Sequence, residues 1–213
     1  MVDMPEKKTF MNTILSNHWH HCLIALVMIA LHIYTLETTE LLRFSRTAIL
    51  IKKEWWRGIS AHFIHLNLNH LLLNLGGLLA IMLTFFEEAR PKRDLMMIIV
   101  SCMIISLVLL FFVPNIAWYV GFSGVLHGYL AYFLILSFKE QPLLSLLVLG
   151  VLLCKVIWEM TPNADLSATE KLINGVVAVE AHAAGFIAGV LSAFTCLYQN
   201  KLMKRKSATN ELI

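Results

Sequence analysis

The chain has 213 residues, of which 58% are hydrophobic and 15% are charged, and its net charge is +3. Soluble domains are closer to half apolar and about a quarter charged, so this composition excludes an ordinary soluble domain. The apolar residues are also grouped, and a block of roughly 18 or more of them can cross the ~30 Å hydrocarbon core of a bilayer as one helix.

Six apolar blocks follow one another along the chain. They lie near residues 20–36, 66–86, 95–113, 122–138, 142–159 and 176–198. They lack the alternating apolar and polar pattern that is typical of barrel strands. The sequence therefore predicts an all-α, polytopic membrane protein with one six-helix domain over residues 20–198, between a segment 1–19 and a basic tail 199–213. Residues 1–19 lack the long apolar core of a removable signal peptide.

Basic residues predict the orientation of these helices, because cytoplasmic loops carry an excess of Lys and Arg. If the amino terminus is cytoplasmic, ten basic residues fall on the inner side, namely Lys7, Lys8, Arg90, Lys92, Arg93, Lys139, Lys201, Lys204, Arg205 and Lys206. Six fall on the outer side, namely Arg43, Arg46, Lys52, Lys53, Arg57 and Lys171. We therefore expect both termini to be cytoplasmic. The first outer loop carries Trp55 and Trp56, which suit the water–lipid interface, so we expect a structured element there.

The second apolar block begins with a cluster of polar side chains, in the stretch HFIHLNLNHLLLN over residues 62–74. Asn67 and Asn69 are candidate helix N-caps. If the helix begins there, His70 lies in its first turn. Asn74 follows four residues later, on the same face of the helix.

The fourth block begins with the stretch GFSGVLHG, residues 121–128, in which Ser123 and His127 are also four residues apart. The glycines around them allow other backbones to come close. A helix of about 17 residues is only ~25 Å long, which is short for a span. We therefore expect its amino end to lie below the outer surface, in a region that lines a wet cavity.

The sixth block contains the stretch EAHAAGFIAG, residues 180–189. We expect its helix to begin near Asn174 and Gly175, which places His182 roughly two turns in. Gly185 and Gly189 form a GxxxG face on the same side as His182, and such a face favours close helix packing.

With this orientation, the second, fourth and sixth helices all carry their polar groups near the outer leaflet. A serine is a weak nucleophile unless a neighbouring base takes its proton, and a histidine can be that base near neutral pH. An Asn amide and an imidazole N–H can stabilise the oxyanion that develops during acyl transfer. The three clusters therefore predict a serine hydrolase that acts at the membrane.

These motifs resemble those of the rhomboid intramembrane serine proteases. That family has a six-helix core with GxSG on the fourth helix, AHxxG on the sixth and HxxxN on the second. The matching residues here lie in the same helices and order, and they are Gly121, Ser123 and Gly124, then His182 and Gly185, then His70 and Asn74. Trp56 and Arg57 resemble a Trp–Arg signature of the first outer loop, and His65 resembles an additional family histidine. The resemblance covers roughly residues 20–198.

The resemblance implies a role for each of these residues. Ser123 would be the nucleophile and His182 the general base, in a dyad without a third acid. The backbone N–H of Ser123 would form the oxyanion hole with His70 and Asn74. His127 stands where other rhomboids often have a tyrosine, and we expect its ring to stack on that of His182.

Within the family, GFSGVLHG and VAVEAHAAG most resemble the rhombosortases of Gram-negative bacteria, and the pairing of His127 with Glu180 suggests this subgroup. The resemblance implies a location in the bacterial inner membrane. It also implies transmembrane or tail-anchored protein substrates, with a C-terminal tail of the Gly-Gly sorting type. We expect contacts with membrane lipids and no cofactor, metal or nucleic-acid partner. Glu88, Ala89 and Arg90 fit a Glu-x-Arg motif of the family only loosely.

Other interpretations of single residues stay open. Ser123 alone could be a small residue at a helix contact, and His70 with Asn74 could cap and hydrate a helix end. His127 could act as a second base for Ser123 along the same helix. Glu180 could cap the helix, gate the site, meet substrate or face water. Three further groups have simpler expected roles. We expect His18, His20 and His21 to form a belt at the membrane interface, and Lys155 to extend its ammonium toward water. We expect apolar packing by the four cysteines, Cys22, Cys102, Cys154 and Cys196.

Two other function classes compete with a protease. A catalytically inactive rhomboid-like protein would bind membrane helices, but it would not need Ser123, His182 and Asn74 together. A small transporter would use the polar residues as a pathway, but transporters often show internal repeats, and no convincing repeat is found here.

Overall fold

The structure is a computed structural model that describes residue 12, residues 14–33 and residues 36–210. It is mostly helical, at 75% helix. Most of segment 1–19, with the expected inner residues Lys7 and Lys8, lies outside the described residues, and so do the last three residues of the tail 199–213.

Ten α-helices are named in chain order. They are α1 (Trp19–Ile33), α2 (Leu36–Leu42), α3 (Arg46–Leu50), α4 (Arg57–Ser60), α5 (Leu68–Thr84), α6 (Pro91–Phe112), α7 (Ser123–Leu136), α8 (Pro142–Glu159), α9 (Ser167–Ile173) and α10 (Val179–Asn210). A π-helical turn, Ile14–His18, precedes α1, and a 3₁₀ turn, Ala61–Phe63, follows α4. Two short strands, β1 (Phe44–Ser45) and β2 (Trp118–Tyr119), pair antiparallel with Phe44 opposite Tyr119.

Each of the six apolar blocks coincides with one long helix, which confirms an all-α membrane protein. Three of the described helices, α6, α8 and α10, are long and apolar enough to cross a bilayer. A fourth span results if α5 is joined to Arg57–Phe63, from which it is bent by 91°. Helix α7 is apolar but has 14 residues. The count of six spans therefore stays a prediction.

Helix α7 is the centre of the bundle and packs mainly against α10. Its side chains Tyr129, Tyr132 and Phe133 are fully buried. Two pairs of glycines allow the close contact, because a Cβ added at Gly185 would collide with the backbone oxygen of Gly124, and one added at Gly189 would collide with that of Gly128. Backbone approach of this kind is what small residues at membrane helix interfaces allow.

Residues 43–60, between α2 and the 3₁₀ turn, are held in place by two arginines. The guanidinium of Arg46 donates to the carbonyl oxygens of Leu109 and Val113, each at 2.6 Å. Arg57 is buried and pairs with Glu54, with Nε 2.5 Å from Oε2. The Arg46 contacts satisfy backbone carbonyls at the end of α6 that would otherwise lack partners. Together the two arginines fix a structured element, as predicted. Trp55 and Trp56 are half exposed on it.

The histidines around Trp19 were expected to form an interfacial belt, and this expectation is wrong. His18, His20 and His21 are all buried. His20 Nε2 lies 3.5 Å from the carboxylate of Asp94, and the Tyr129 hydroxyl forms a hydrogen bond of 2.8 Å with His21 Nε2. Buried polar groups need such partners, and Asp94 and Tyr129 are distant in sequence, so the sequence pattern did not reveal the cluster.

Candidate active site

The amino ends of α5, α7 and α10 and the carboxyl end of α8 surround one cavity of about 1040 Å³. Its lining includes His70, Asn74, Ser123, His127 and His182. The three polar clusters of the sequence therefore come together in space. They are distant along the chain, since 46 residues separate Asn74 from Gly121 alone.

Ser123 and His182 face each other across the contact between α7 and α10. Ser123 is the first residue of α7, and its Oγ lies 2.9 Å from Nε2 of His182. On the other side of the ring, Nδ1 lies 2.8 Å from Oε2 of Glu159. A carboxylate accepts hydrogen bonds, so Nδ1 carries the proton and Nε2 has the lone pair that accepts from the serine hydroxyl.

Helix α10 begins later than expected. The predicted start near Asn174 and Gly175 is wrong, because Asn174 has φ of 53° and ends α9 in the left-handed conformation. Left-handed residues commonly end helices. The chain then continues without helix to Val179, so His182 lies in the first turn of α10. This position brings its ring to the cavity at the amino end of the helix.

The ring of His127 stacks on that of His182, as predicted, with centroids 4.1 Å apart and planes 16° apart. Its Nδ1 donates to the backbone oxygen of Ser123 at 2.8 Å, and its Nε2 lies 3.0 Å from Nζ of Lys155. Both ring nitrogens of His127 therefore have partners other than the Ser123 hydroxyl. This geometry disfavours His127 as a second base for Ser123.

Helix α5 carries His70 and Asn74, which line the same cavity as Ser123. Asn67 is the N-cap of α5 and accepts from the N–H of His70 at 2.8 Å. The N–H of Leu66 donates to His70 Nδ1 at 3.3 Å, so the proton of the neutral ring is on Nε2. Asn74 is buried and donates through Nδ2 to the backbone oxygen of His70 at 2.8 Å, which leaves its second N–H free to act as a donor.

Gly121 allows the loop before α7 to pack closely against His70. Its φ is 124°, a conformation that favours glycine. A Cβ added there would lie 2.8 Å from the imidazole of His70. The N–H of Gly121 donates to the oxygen of Ala61 at 3.0 Å, which ties the loop to the 3₁₀ turn. His65 lies edge-on against His70, with ring centroids 5.0 Å apart.

Glu180 belongs to the lining of the cavity and not to the hydrogen-bonded group around His182. Glu180 lines the cavity from the first turn of α10. Within the described residues, no hydrogen bond or ion pair of its side chain is found. The expectation of a dyad without a third acid did not include Glu159, whose carboxylate contacts the imidazole of His182.

One group among the described residues could hold a metal ion, with ligand atoms of His127, Glu159 and His182 within 4.8 Å of one another. Two features favour hydrogen bonding over coordination. The two imidazoles are stacked, so their lone pairs cannot both point at one ion in the ring planes. The ammonium of Lys155 already supplies the positive charge, at 2.5 Å from Oε1 of Glu159 and 3.0 Å from His127.

The family model for the Rhomboid domain matches residues 52–199, which is more than half of the chain. No curated protein matches the chain. The matched region contains every residue of the cavity described above. This chain therefore belongs to the rhomboid family of intramembrane proteases.

Proposed function

We propose that this protein is an intramembrane serine endopeptidase in which Ser123 is the nucleophile and His182 is the general base. The observation that carries the proposal is the contact of 2.9 Å between Ser123 Oγ and the unprotonated Nε2 of His182. The two residues come from different helices and meet at an open cavity in an apolar bundle. A nucleophile and base within hydrogen-bond reach are the signature of covalent catalysis.

The reaction proceeds in two acyl-transfer steps. Ser123 Oγ attacks the carbonyl carbon of the scissile peptide while His182 Nε2 takes the hydroxyl proton. The imidazolium then gives this proton to the leaving amine, and an acyl-serine remains. Water from the cavity then attacks the acyl-serine and loses a proton to His182 Nε2. The imidazolium returns this proton to Ser123 Oγ as the ester bond breaks, and the carboxyl product and free Ser123 are released.

Three donors would stabilise the oxyanion of each tetrahedral intermediate. The N–H of Ser123 is at the amino end of α7, where backbone N–H groups have no partner inside the helix. The Nε2–H of His70 and the free N–H of Asn74 line the same cavity. Such donors act strongly because they are fixed before the charge develops.

The substrates of this enzyme are transmembrane or tail-anchored proteins. We place the chain in the rhombosortase subgroup, which implies a C-terminal tail with a Gly-Gly motif, a membrane helix and a basic end. The resemblance of GFSGVLHG and VAVEAHAAG to that subgroup supports this assignment. The domain would have six spans over residues 20–198 in the bacterial inner membrane, with both termini cytoplasmic.

A reconstituted cleavage assay tests the proposal. Wild-type protein in liposomes is expected to cleave a reporter that carries a Gly-Gly tail, and replacement of Gly-Gly by Leu-Leu is expected to abolish cleavage. Ser123→Ala and His182→Ala should each lower kcat by about 10³-fold or more. Ser137→Ala is the matched control, because Ser137 is buried at the end of the same helix and does not line the cavity.

The results separate this enzyme from an inactive helix-binding rhomboid. A protein of that kind would bind the reporter and release no product. Cleavage that survives Ser123→Ala would contradict the nucleophile assignment. Equal cleavage of the Gly-Gly and Leu-Leu reporters would leave a rhomboid protease and remove the subgroup assignment.

A further inference from the structure

Glu159 is a buried acid that the two-residue mechanism does not use. It is the last residue of α8, and its side chain is 6% exposed. Its two carboxylate oxygens have different partners, with Oε2 at 2.8 Å from His182 Nδ1 and Oε1 at 2.5 Å from Lys155 Nζ. A buried carboxylate is costly unless it is paired and hydrogen-bonded, so both partners stabilise this placement.

Lys155 holds the carboxylate of Glu159 in one position. It lies four residues before Glu159, on the same face of α8. Its ammonium also reaches Nε2 of His127, whose Nδ1 donates to the backbone oxygen of Ser123. Ser123, His182, Glu159, Lys155 and His127 therefore form a closed ring of hydrogen bonds that joins α7, α8 and α10.

The ring determines which nitrogen of His182 carries the proton. Oε2 of Glu159 can only accept, so it holds the proton on Nδ1 and leaves Nε2 free to accept from Ser123. When the serine proton moves to Nε2, the imidazolium is paired with the carboxylate. Glu159 stays ionised throughout, and no proton passes to it.

We propose that Glu159 is a positioning residue that, held by Lys155, fixes the tautomer and orientation of His182 and stabilises its imidazolium, so that the site operates as a Ser–His–Glu relay. This inference rests on the proposed function. The geometry also indicates that α8, which supplies both charged residues, must be packed against α7 and α10 for the relay to be complete.

Glu159→Gln tests the inference because its amide has a single acceptor oxygen. Lys155 and His182 both require an acceptor, and the ammonium is expected to take the oxygen. The amide NH₂ then faces Nδ1 and favours a proton on Nε2, where it blocks transfer from Ser123. We expect kcat to fall by about 10²–10⁴-fold with KM within about threefold, by analogy with amide substitution of a triad acid.

The double variant Lys155→Met/Glu159→Gln distinguishes positioning from simple loss of an ion pair. Without the ammonium, the amide oxygen is free to accept from Nδ1–H of His182. We expect kcat to recover at least about tenfold over Glu159→Gln alone, and Lys155→Met alone to stay within about tenfold of wild type. The control pair is Lys139→Met and Glu140→Gln, two exposed residues just before α8, and we expect wild-type kcat for both.

A spectroscopic measurement gives a result that does not depend on activity. In protein labelled with ¹⁵N-histidine, the His182 signals, assigned by their loss in His182→Asn, report the tautomer directly. We expect the proton on Nδ1 in wild type and in Ser123→Ala, and on Nε2 in Glu159→Gln.

The inference is overturned if Glu159→Gln keeps kcat within threefold of wild type, if the double variant is no more active than Glu159→Gln, or if the tautomer is unchanged in Glu159→Gln. If Glu159→Gln does not fold, the spectra of wild type and Ser123→Ala still test the inference, and a proton on Nε2 of His182 in either protein overturns it. Failure of the proposed function gives a different result, namely cleavage that Ser123→Ala does not affect.

Discussion

Three histidines of the site differ in the nitrogen that carries the proton, and their neighbours determine the difference. His182 has Nδ1–H because it donates to Glu159, and His127 has Nδ1–H because it donates to the Ser123 carbonyl. His70 has Nε2–H because its Nδ1 accepts from Leu66. One ring can then act as a base while another acts as a donor, which is the division of roles that acyl transfer needs.

Substitution of Asn74 tests one of the proposed oxyanion donors separately from the others. Asn74→Ala is expected to lower kcat by about 10²–10³-fold with little change in KM, because the lost donor acts mainly on the transition state. Cleavage kinetics in detergent are the measurement. Asn69→Ala is the control, since Asn69 is exposed on the same helix and donates to the oxygen of Leu172. Equal losses in the two variants would contradict a role for Asn74 in the oxyanion hole.

Single residues also show how far the sequence could predict the site. Ser123, His182, His70 and Asn74 were found because each lies in a short motif or at i, i+4 spacing. Glu159 was missed because its partner is distant in sequence. Its one local signal is the Lys155–Glu159 pair at i, i+4 at the end of an apolar block, and that pattern is also typical of side chains that snorkel.

At the scale of elements, the contact between α7 and α10 positions Ser123 against His182. The glycine motif predicted this contact. The start of α10 was predicted too early because the apolar residues 176–178 continue the block, while the left-handed Asn174 that ends α9 has no signal in the apolar pattern. The buried histidine cluster at Tyr129 was missed because its contacts join distant parts of the chain.

A glycine substitution tests this contact without touching the cavity. A Cβ at Gly189 would collide with the backbone oxygen of Gly128, and neither backbone can move without separating the helices. We expect Gly189→Ala to destabilise the protein by about 1–3 kcal/mol or more, as overpacking does. Thermal unfolding in detergent measures the effect.

Gly150→Ala is the matched control for this test. Gly150 lies within α8, and a Cβ added there meets no atom within 4 Å. Because alanine favours helix over glycine by about 1 kcal/mol, the control should be neutral or slightly stabilising. A Gly189→Ala protein as stable as the control would contradict the close packing of α7 and α10.

At the scale of the whole molecule, composition and the grouping of apolar residues into long blocks predicted an all-α membrane protein. They could not determine the number of spans. Helix α7 has 14 residues and α1 has 15, both below the usual length of a span. Packing decides whether such a helix is buried inside the protein or contacts the bilayer. An apolar block in the sequence has the same pattern in both cases.

The sides of the membrane on which the two termini lie test whether the number of spans is even, as six spans require. An even number of spans with the amino terminus inside places both termini in the cytoplasm. We expect green fluorescent protein to fluoresce, and alkaline phosphatase to be inactive, when either reporter is fused to either end. Active alkaline phosphatase at one end only would show an odd number of spans.

The central claim is that Ser123 is a nucleophile activated across the bundle by His182. Labelling of the purified full-length protein with a fluorophosphonate, followed by peptide mass spectrometry, tests it most directly. We predict one labelled residue, Ser123, with labelling absent in Ser123→Ala and slowed by about 10²-fold or more in His182→Ala. Labelling of another serine, or equal labelling rates in wild type and His182→Ala, would contradict the claim.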